Sequence, residues 1–342
     1  MESIESLLQL KRTLRFHNGK FRILIFSDLH GIYQYDRRVV RDIEAVVKNT
    51  TPDLVIFNGD NVWKDGAADE NSLRRFMTDC TAYLEEHEIP WAHTFGNHDA
   101  ERGFEVCDQQ KVFEEFPCCL TKAGPDWVPG TGNCVLPIFA EKSDDIKYNM
   151  WLLDSHRDMR EYLTEHGFPD DRRIYQFPDP LHLGTSYDAI RFEQIMWYWQ
   201  TSGQLEKHCG HKIPGAMAFH IALPEFVVVY KNVAECKYKG IRRESVGNSP
   251  VNSGLFNALF ERQEVKTVVC GHDHINDFEG EYFGIRLAMD GGMNYDGYCD
   301  DDLRGGRVID ITEDDPWHVD SFMVRSADYV ENYPGLEDRK AD

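Results

Sequence analysis

Five short apolar runs along the chain are each followed at once by side chains of the kinds that bind metal ions. Runs of this length, rich in β-branched and aromatic residues, predict buried strands. They occupy residues 21–26, 54–57, 90–95, 216–219 and 268–270. Since ligand sites in parallel sheets form beyond the carboxyl ends of the strands, the pattern predicts that the five polar clusters meet there.

The spacing between the first three runs predicts helices. Apolar positions recur with helical spacing over residues 39–48 and 72–87. A strand, helix, strand, helix, strand order is typical of an α/β fold with a parallel sheet.

Later segments predict a second set of elements. Residues 134–139 and 148–153 read as a strand pair, and residues 282–289 and 305–311 as late strands. Residues 188–207 predict a helix whose tryptophans pack in the core rather than against a cofactor.

The domain organisation follows from the absence of internal repeats and low-complexity linkers. We expect one domain over residues 1–326, with an irregular insertion around 103–187 that helps to build a substrate pocket. The last residues, 327–342, are polar and charged and predict a loosely held tail.

Composition and charge exclude several classes of function. An apolar content of 42% is enough for a large core, and the net charge of −22 argues against a nucleic-acid-binding surface. A small anionic substrate stays compatible with this charge, because bound divalent cations reverse the local sign. No stretch approaches the roughly 20 apolar residues of a membrane span.

The N-terminus and the cysteines bear on the compartment. The first twenty residues have acidic residues where a signal peptide has basic ones. Nine cysteines without a C-x-x-C pair argue against a disulfide framework. We therefore expect a cytoplasmic protein, or a secreted one if a leader has been removed.

The polar clusters supply the ligands of a two-metal hydrolytic site. Such a site combines carboxylate and amide oxygens with imidazoles and shares one ligand between ions about 3.5–4 Å apart. His272 and His274 can point the same way from an extended strand end. Each cluster alone has a plainer interpretation: an aspartate can cap a helix, Asn97 can form a turn, and His220 can be a core histidine. Their joint occurrence at strand ends favours the metal site.

The motifs at these strand ends resemble a known family. Residues 28–30 (DLH), 59–61 (GDN), 96–99 (GNHD), His220 and 271–274 (GHDH) are similar to the five signature blocks of the calcineurin-like metallophosphoesterases. Two further stretches, NSGLF and DGGMNYDGY, resemble a purple acid phosphatase-like branch of that family. The resemblance implies a two-sheet β-sandwich flanked by helices, with mixed sheets and the site at the carboxyl ends of the strands.

The resemblance also implies a ligand set with Asp60 as the bridge. The first ion would be held by Asp28, His30, Asp60 and His274, and the second by Asp60, Asn97, His220 and His272. The cofactors would be two divalent or mixed-valence ions among Mn, Fe, Zn, Mg and Ca.

The family chemistry assigns the remaining roles. Water held between the ions would attack the phosphorus of a small phosphate ester, either a monoester or a diester. His98 would protonate the leaving oxygen, with Asp99 orienting the imidazole.

This sequence departs from the coloured members of the branch at two positions. They carry tyrosine where Trp63 stands and glycine where His30 stands. Because an indole offers only an N–H donor, Trp63 argues against a ferric, coloured centre.

Several alternatives stay open at this point. Asp273, Asn276 and Asp277 could orient the histidines or merely form turns. His156 and Arg157 could reach a substrate phosphate or belong to the surface. The whole chain could be an inactive binding scaffold, or a metallohydrolase acting on a non-phosphorus ester.

Overall fold

A computed structural model describes residues 3–31, 34–63, 69–99, 101, 104–159, 164, 166–167 and 187–335. Most of residues 160–186, in the insertion expected around 103–187, lie outside these ranges. Residues 336–342, in the tail expected over 327–342, also lie outside them.

The described residues form two β-sheets flanked by helices. The strands are β1 Leu14–Arg15, β2 Lys20–Phe26, β3 Leu54–Asn58, β4 Trp91–Thr94, β5 Cys134–Phe139, β6 Ile146–Leu152, β7 Gly215–Phe219, β8 Val265–Cys270, β9 Glu279–Tyr282, β10 Ile285–Met289, β11 Gly305–Thr312 and β12 Asp320–Arg325. The helices are α1 Ile4–Leu8, α2 Arg37–Thr50, α3 Glu70–Glu86, α4 Val106–Phe113, α5 Phe192–Cys209, α6 Glu225–Lys231 and α7 Leu255–Arg262, with a short 3₁₀ turn at Ser326–Asp328.

The five-stranded sheet has the order β12-β11-β2-β3-β4. Its strands β2, β3 and β4 are parallel, as the strand and helix alternation predicts, and α2 and α3 connect them. Helix α2 begins where the Asp36 side chain accepts a hydrogen bond from the Arg38 amide, at 3.0 Å. The other two strands, β11 and β12, add to this sheet in antiparallel fashion.

The seven-stranded sheet has the order β1-β5-β6-β7-β8-β10-β9. Strands β5 and β6 form the predicted pair and are antiparallel. The prediction of a single strand over residues 282–289 is wrong, because the chain forms a hairpin there. Phe283 and Gly284 both have positive φ, 47° and 76°, which suits a two-residue turn between β9 and β10.

Three apolar layers hold the fold together. One lies between the two sheets and includes Ile23, Ile56 and Val269. The other two lie between each sheet and its helices. Trp197 of α5 is buried and makes an edge contact with Trp151, so it packs in the core as predicted. Both faces of both sheets are thereby covered, which is the two-sheet α/β fold that the motifs imply.

Three further features concern the C-terminal segment, the helices and the cysteines. The described part of the C-terminal segment contacts α2, since Arg38 and Arg41 donate hydrogen bonds to the carbonyls of Gly335 and Pro334. None of the helices in the described ranges is long and apolar enough to cross a bilayer. All nine cysteines are free thiols.

Candidate metal centre

Six predicted ligands converge into two buried groups beyond the carboxyl ends of strands from both sheets. The first group joins Asp28, His30 and His274, and the second joins Asp60, His220 and His272. Within each group the candidate ligand atoms lie within 4.8 Å of one another. The pairing of residues into groups agrees with the one that the family resemblance implies.

In the first group, the Asp28 carboxylate is held so that one oxygen faces the histidines. Its Oδ2 accepts hydrogen bonds from Ser27 Oγ at 2.6 Å and from the His272 amide at 2.9 Å. Its Oδ1 lies 3.2 Å from His274 Nε2 and 3.6 Å from His30 Nε2. These two imidazole nitrogens are themselves only 3.0 Å apart. One oxygen and two nitrogens therefore converge on one point.

In the second group, Asp60 lies between both sets of ligands. Its Oδ1 accepts a hydrogen bond from the His98 amide at 2.8 Å. Its Oδ2 lies 3.1 Å from His220 Nε2 in its own group and 3.8 Å from His30 Nε2 in the other. A single oxygen that faces both groups has the position required of a bridging ligand.

The backbone at the site is strained in a way that is typical of functional sites. Asp28, His30, Asp60 and His272 all have positive φ, between 49° and 74°. This region is costly for residues other than glycine and is held only where the surrounding structure enforces it. The strain turns the side chains inward just after the strands end.

Glycine is required beside the ligands at Gly96, for reasons of space. A Cβ atom at this position would overlap the Asp60 carboxylate and lie 2.7 Å from His220 Cδ2. The next residue, Asn97, has a buried Oδ1 without a hydrogen-bond partner in the described structure. An unpartnered buried amide oxygen is compatible with a ligand role, and the assignment of Asn97 to the second ion stays a prediction.

The buried atoms left without partners test whether these residues fit metal ions. Among the described residues, Asp28 Oδ1, Asp60 Oδ2 and His220 Nε2 have no hydrogen bond, because the nearby nitrogens do not approach along hydrogen-bonding directions. An unsatisfied buried polar group costs about 1–3 kcal/mol. Since these atoms are the predicted ligand atoms, cations at the two groups would remove that cost. The residues therefore fit a pair of metal ions.

Outer contacts fix which nitrogen of each imidazole faces the centre. His220 Nδ1 donates to the Asn58 carbonyl at 2.9 Å, and His274 Nδ1 donates to the Tyr298 carbonyl at 2.6 Å. Both Nε2 atoms are then free of protons in the neutral ring and available as ligands. The Tyr298 ring also stacks on His274 at 4.2 Å. Sequence reasoning missed Asn58 and Tyr298 because every residue type has a backbone carbonyl.

The turn-forming alternative is favoured for the polar residues around His274. Asp273 accepts hydrogen bonds from the Gly247 amide at 2.9 Å and from Asn276 Nδ2 at 2.8 Å. Asp277 accepts one from the Ile241 amide at 2.6 Å. These contacts join the turn after β8 to the loop before α7, and the ligand histidines are oriented by other groups.

The pKa values at the centre follow from burial and from the two carboxylates. Burial opposes ionisation of Asp28 and Asp60, but the neighbouring histidines outweigh it and hold both carboxyl pKa values below their usual range. Burial lowers the pKa of His30 to about 4 and that of His272 to about 3. The carboxylates overcome burial at His220 and raise its pKa to about 10. The two carboxylates thus face the neutral imidazoles of His30 and His272 and draw a proton onto His220, and a bound cation would take the place of that proton.

His98 lies at the edge of this centre with a different set of neighbours. Its Nε2 is 4.0 Å from Asp60 Oδ2, and its Nδ1 is 3.1 Å from Glu101 Oε1. Asp99, which we expected to orient this ring, instead accepts hydrogen bonds from the amides of Val62 and Gly96, at 2.9 and 2.8 Å. The carboxylate beside the imidazole is therefore that of Glu101, and Asp99 joins the two loops that carry Asp60 and His98.

A cavity of about 500 Å³ opens next to the centre at Gly96. His156 and Arg157 both line it, together with residues from the described part of the predicted insertion. His156 Nε2 lies 3.1 Å from Gln194 Oε1, which fixes the ring in the wall. The cavity has room for the organic part of a small ester bound at the centre.

Comparisons with known proteins agree with this geometry. A family model described as Calcineurin-like phosphoesterase matches residues 21–276. The chain is 32% identical over 323 residues to "Probable inactive purple acid phosphatase 14" of Arabidopsis thaliana, covering 84% of this chain and 74% of the relative. It is 29% identical to "Probable inactive purple acid phosphatase 29" of the same plant, covering 84% and 76%.

One solved structure shows the same fold. A dimetal phosphatase from Danio rerio superposes with a TM-score of 0.53 at 13% identity, covering 90% of this chain and 99% of that one.

Proposed function

Because the chain belongs to the calcineurin-like phosphoesterase family, as its motifs predicted, we propose that it hydrolyses phosphoric esters at a two-metal centre. The observation that carries the proposal is the position of Asp60, whose unpartnered Oδ2 faces both buried ligand groups. When bound, two cations supply Lewis-acid activation of water and of the phosphoryl oxygens. The combination of imidazole and oxygen ligands suits Mn, Fe or Zn, and the two carboxylates also admit Mg or Ca.

The protein's own part in the reaction is to orient the ester and to move a proton. His98 is the proposed proton donor to the leaving oxygen. Burial lowers the pKa of His98, but Glu101 and Asp60 outweigh burial and raise it above the usual value. The imidazolium form is therefore more populated at a given pH than in a free histidine, which favours a general acid. Glu101 beside Nδ1 leaves Nε2 facing the centre, where the leaving oxygen would stand.

The cavity next to Gly96 would hold the organic part of the ester. Its wall carries His156 and Arg157, the type of side chain that binds phosphate oxygens. Both a phosphomonoester and a phosphodiester are compatible with the proposal. The free thiols favour a reducing, cytoplasmic location for this activity.

The names of the plant relatives favour a second candidate function, a catalytically inactive binding scaffold with the phosphoesterase fold. A scaffold of this kind is expected to lose ligands, because nothing then requires the full set. This chain has all seven proposed ligands, and six of them form the two compact groups. That retention supports the hydrolase over the scaffold.

A panel of esters assayed with metal analysis of the same sample tests the proposal. The panel contains an alkyl phosphate, a nitrophenyl phosphate, a phosphodiester and a carboxyl ester, with His220→Ala protein as the background control. We expect metal-dependent hydrolysis of at least one phosphoric ester and none above background for the carboxyl ester. Metal-loaded protein that hydrolyses no phosphoric ester would support the scaffold, and preferential cleavage of the carboxyl ester would refute the phosphorus specificity.

A further inference from the structure

Trp63 occupies a position that the proposed mechanism leaves without a role. It follows Asp60 by three residues in the loop after β3. The Trp63 amide donates a hydrogen bond to the Gly31 carbonyl at 2.8 Å, which joins this loop to the one that carries Asp28 and His30. The backbone of Trp63 therefore joins the loop of Asp60 to the loop of Asp28 and His30, three of the proposed ligands of the first ion.

The indole ring contacts both a proposed metal ligand and the proposed proton donor, whose own ring centroids are 5.2 Å apart. It stacks on the His98 imidazole with a centroid distance of 4.9 Å and an interplanar angle of 13°. It also contacts the His30 ring, at 4.3 Å and 56°. A nearly parallel stack restricts rotation of the imidazole about its side-chain bonds, because a flat ring has few orientations that keep the contact.

Two simpler roles for Trp63 do not fit. An indole has no lone pair to offer, so it cannot be a metal ligand. A pure core role does not fit either, because Trp63 is only partly buried and its ring contacts are with site histidines.

We infer that Trp63 is a positioning residue that holds the His98 imidazole with Nε2 directed at the leaving oxygen. This inference rests on the proposed function, because it assigns Trp63 a part in the same reaction. Glu101 contacts His98 at Nδ1, and the His30 ring meets the imidazole at an angle of 58°, so the nearly parallel contact on the face of the imidazole comes from the indole. Loss of the indole would leave the proton donor in several orientations, of which only some reach the leaving oxygen.

Kinetics of Trp63 variants test the inference. Misplacing a catalytic group by about 1 Å costs up to about 10²-fold in rate, so Trp63→Ala should lower kcat for an alkyl phosphate by about 10- to 10²-fold. We expect KM and metal content to stay near wild type, and a smaller loss for a nitrophenyl ester. Trp63→Phe keeps a flat ring and should restore most of kcat. Trp317→Ala, at an exposed tryptophan after β11, is the matched control.

A double-mutant cycle separates action through His98 from any other action. If Trp63 acts only through His98, Trp63→Ala should cause no further loss in a His98→Ala background. An equal loss in both backgrounds, a change confined to KM, or loss of metal would overturn the inference.

A readout without turnover separates failure of this inference from failure of the proposed function. The imidazole proton resonances of His98 are identified by their absence from His98→Ala protein. They should show an upfield ring-current shift in wild type and in Trp63→Phe that disappears in Trp63→Ala. Unchanged resonances would overturn the positioning role even in a protein that hydrolyses nothing, whereas a lack of hydrolysis alone would overturn only the proposed function.

Discussion

Asp60→Asn replaces one carboxylate oxygen with an amide group at the position that both ligand groups share. In the structure, Oδ1 accepts the His98 amide and Oδ2 faces His220 and His30. An asparagine can satisfy only one of these sides. If its NH₂ group faces the His98 amide, two donors meet; if the NH₂ group faces the imidazoles, it cannot bind a cation.

The expected effect follows from the lost charge. Two unit charges 4 Å apart interact by about 4 kcal/mol at an effective dielectric constant of about 20. An ion held between Asp60 Oδ2 and His220 Nε2, which are 3.1 Å apart, would be closer to the carboxylate than 4 Å. A loss of about 4 kcal/mol corresponds to about 10³-fold weaker binding. We therefore expect Asp60→Asn to lose at least one metal equivalent and most of its turnover.

Metal content per chain after dialysis against metal-free buffer, with turnover of the same sample, measures this effect. Asp290→Asn is the matched control. Asp290 is also buried, and its Oδ2 lies 3.4 Å from Asn58 Nδ2, but it belongs to neither ligand group, so the same substitution there removes a buried carboxyl group without removing a proposed ligand. The control should keep both metal equivalents. Two equivalents retained at full activity in Asp60→Asn would refute the bridging role.

Three other predictions follow from the structure. His98→Ala should slow hydrolysis of alkyl phosphate esters by about 10²- to 10⁴-fold and that of a nitrophenyl ester less, with metal content near wild type. Equal losses of rate for both esters would indicate that His98 positions the phosphate, and loss of metal would indicate that His98 is a ligand. Iron-loaded protein should show no intense visible band of the tyrosinate type, because Trp63 stands beside His30 where a phenolate would be needed; a persistent purple band would show that another tyrosine binds the iron. His93 is buried away from the ligand groups, and burial lowers its pKa from 6.5 to about 3. The unfolded chain therefore binds a proton below pH 6.5 that the folded chain does not, and stability falls as the pH drops from 6.5 towards 3. Between pH 7.5 and 5.5 wild type should lose about 1.4 kcal/mol more unfolding free energy than His93→Leu in urea titrations; equal losses would contradict burial of a neutral imidazole.

The sequence predicts which side chains converge at the strand ends because their signal is local. Each ligand follows an apolar run directly, so the strand end and the chemistry are read from the same few residues. The β2, β3 and β4 order is predictable for the same reason, since apolar periodicity marks the helices between them. The structure confirms that order and brings Asp28, His30 and His274 together in one group and Asp60, His220 and His272 in the other.

The division of strands between the sheets is not a local property. Strands β7 and β8 are short and mostly buried, as β3 is, yet they belong to the other sheet, because pairing depends on contacts far apart in the chain. The family resemblance pointed to two sheets but not to which strands join each. The hairpin at Phe283 was missed for a related reason, since an apolar residue in the left-handed region has no turn signal in its side chain.

The outer contacts at the site also could not be predicted from the sequence. Asp99 and Glu101 are two residues apart, and which of them faces His98 depends on the turn after β4. The carbonyls of Asn58 and Tyr298 fix two imidazoles through backbone atoms that every residue type has. A motif thus locates the ligands but not the groups that orient them.

Titration of metal-free protein with Mn²⁺, with bound metal and phosphoric ester hydrolysis measured at each step, tests the central claim most directly. Two ligand groups joined by Asp60 predict two bound equivalents per chain, with turnover rising as the second is bound. Saturation at one equivalent, or full binding of two without any hydrolysis of a phosphoric ester, would contradict the account.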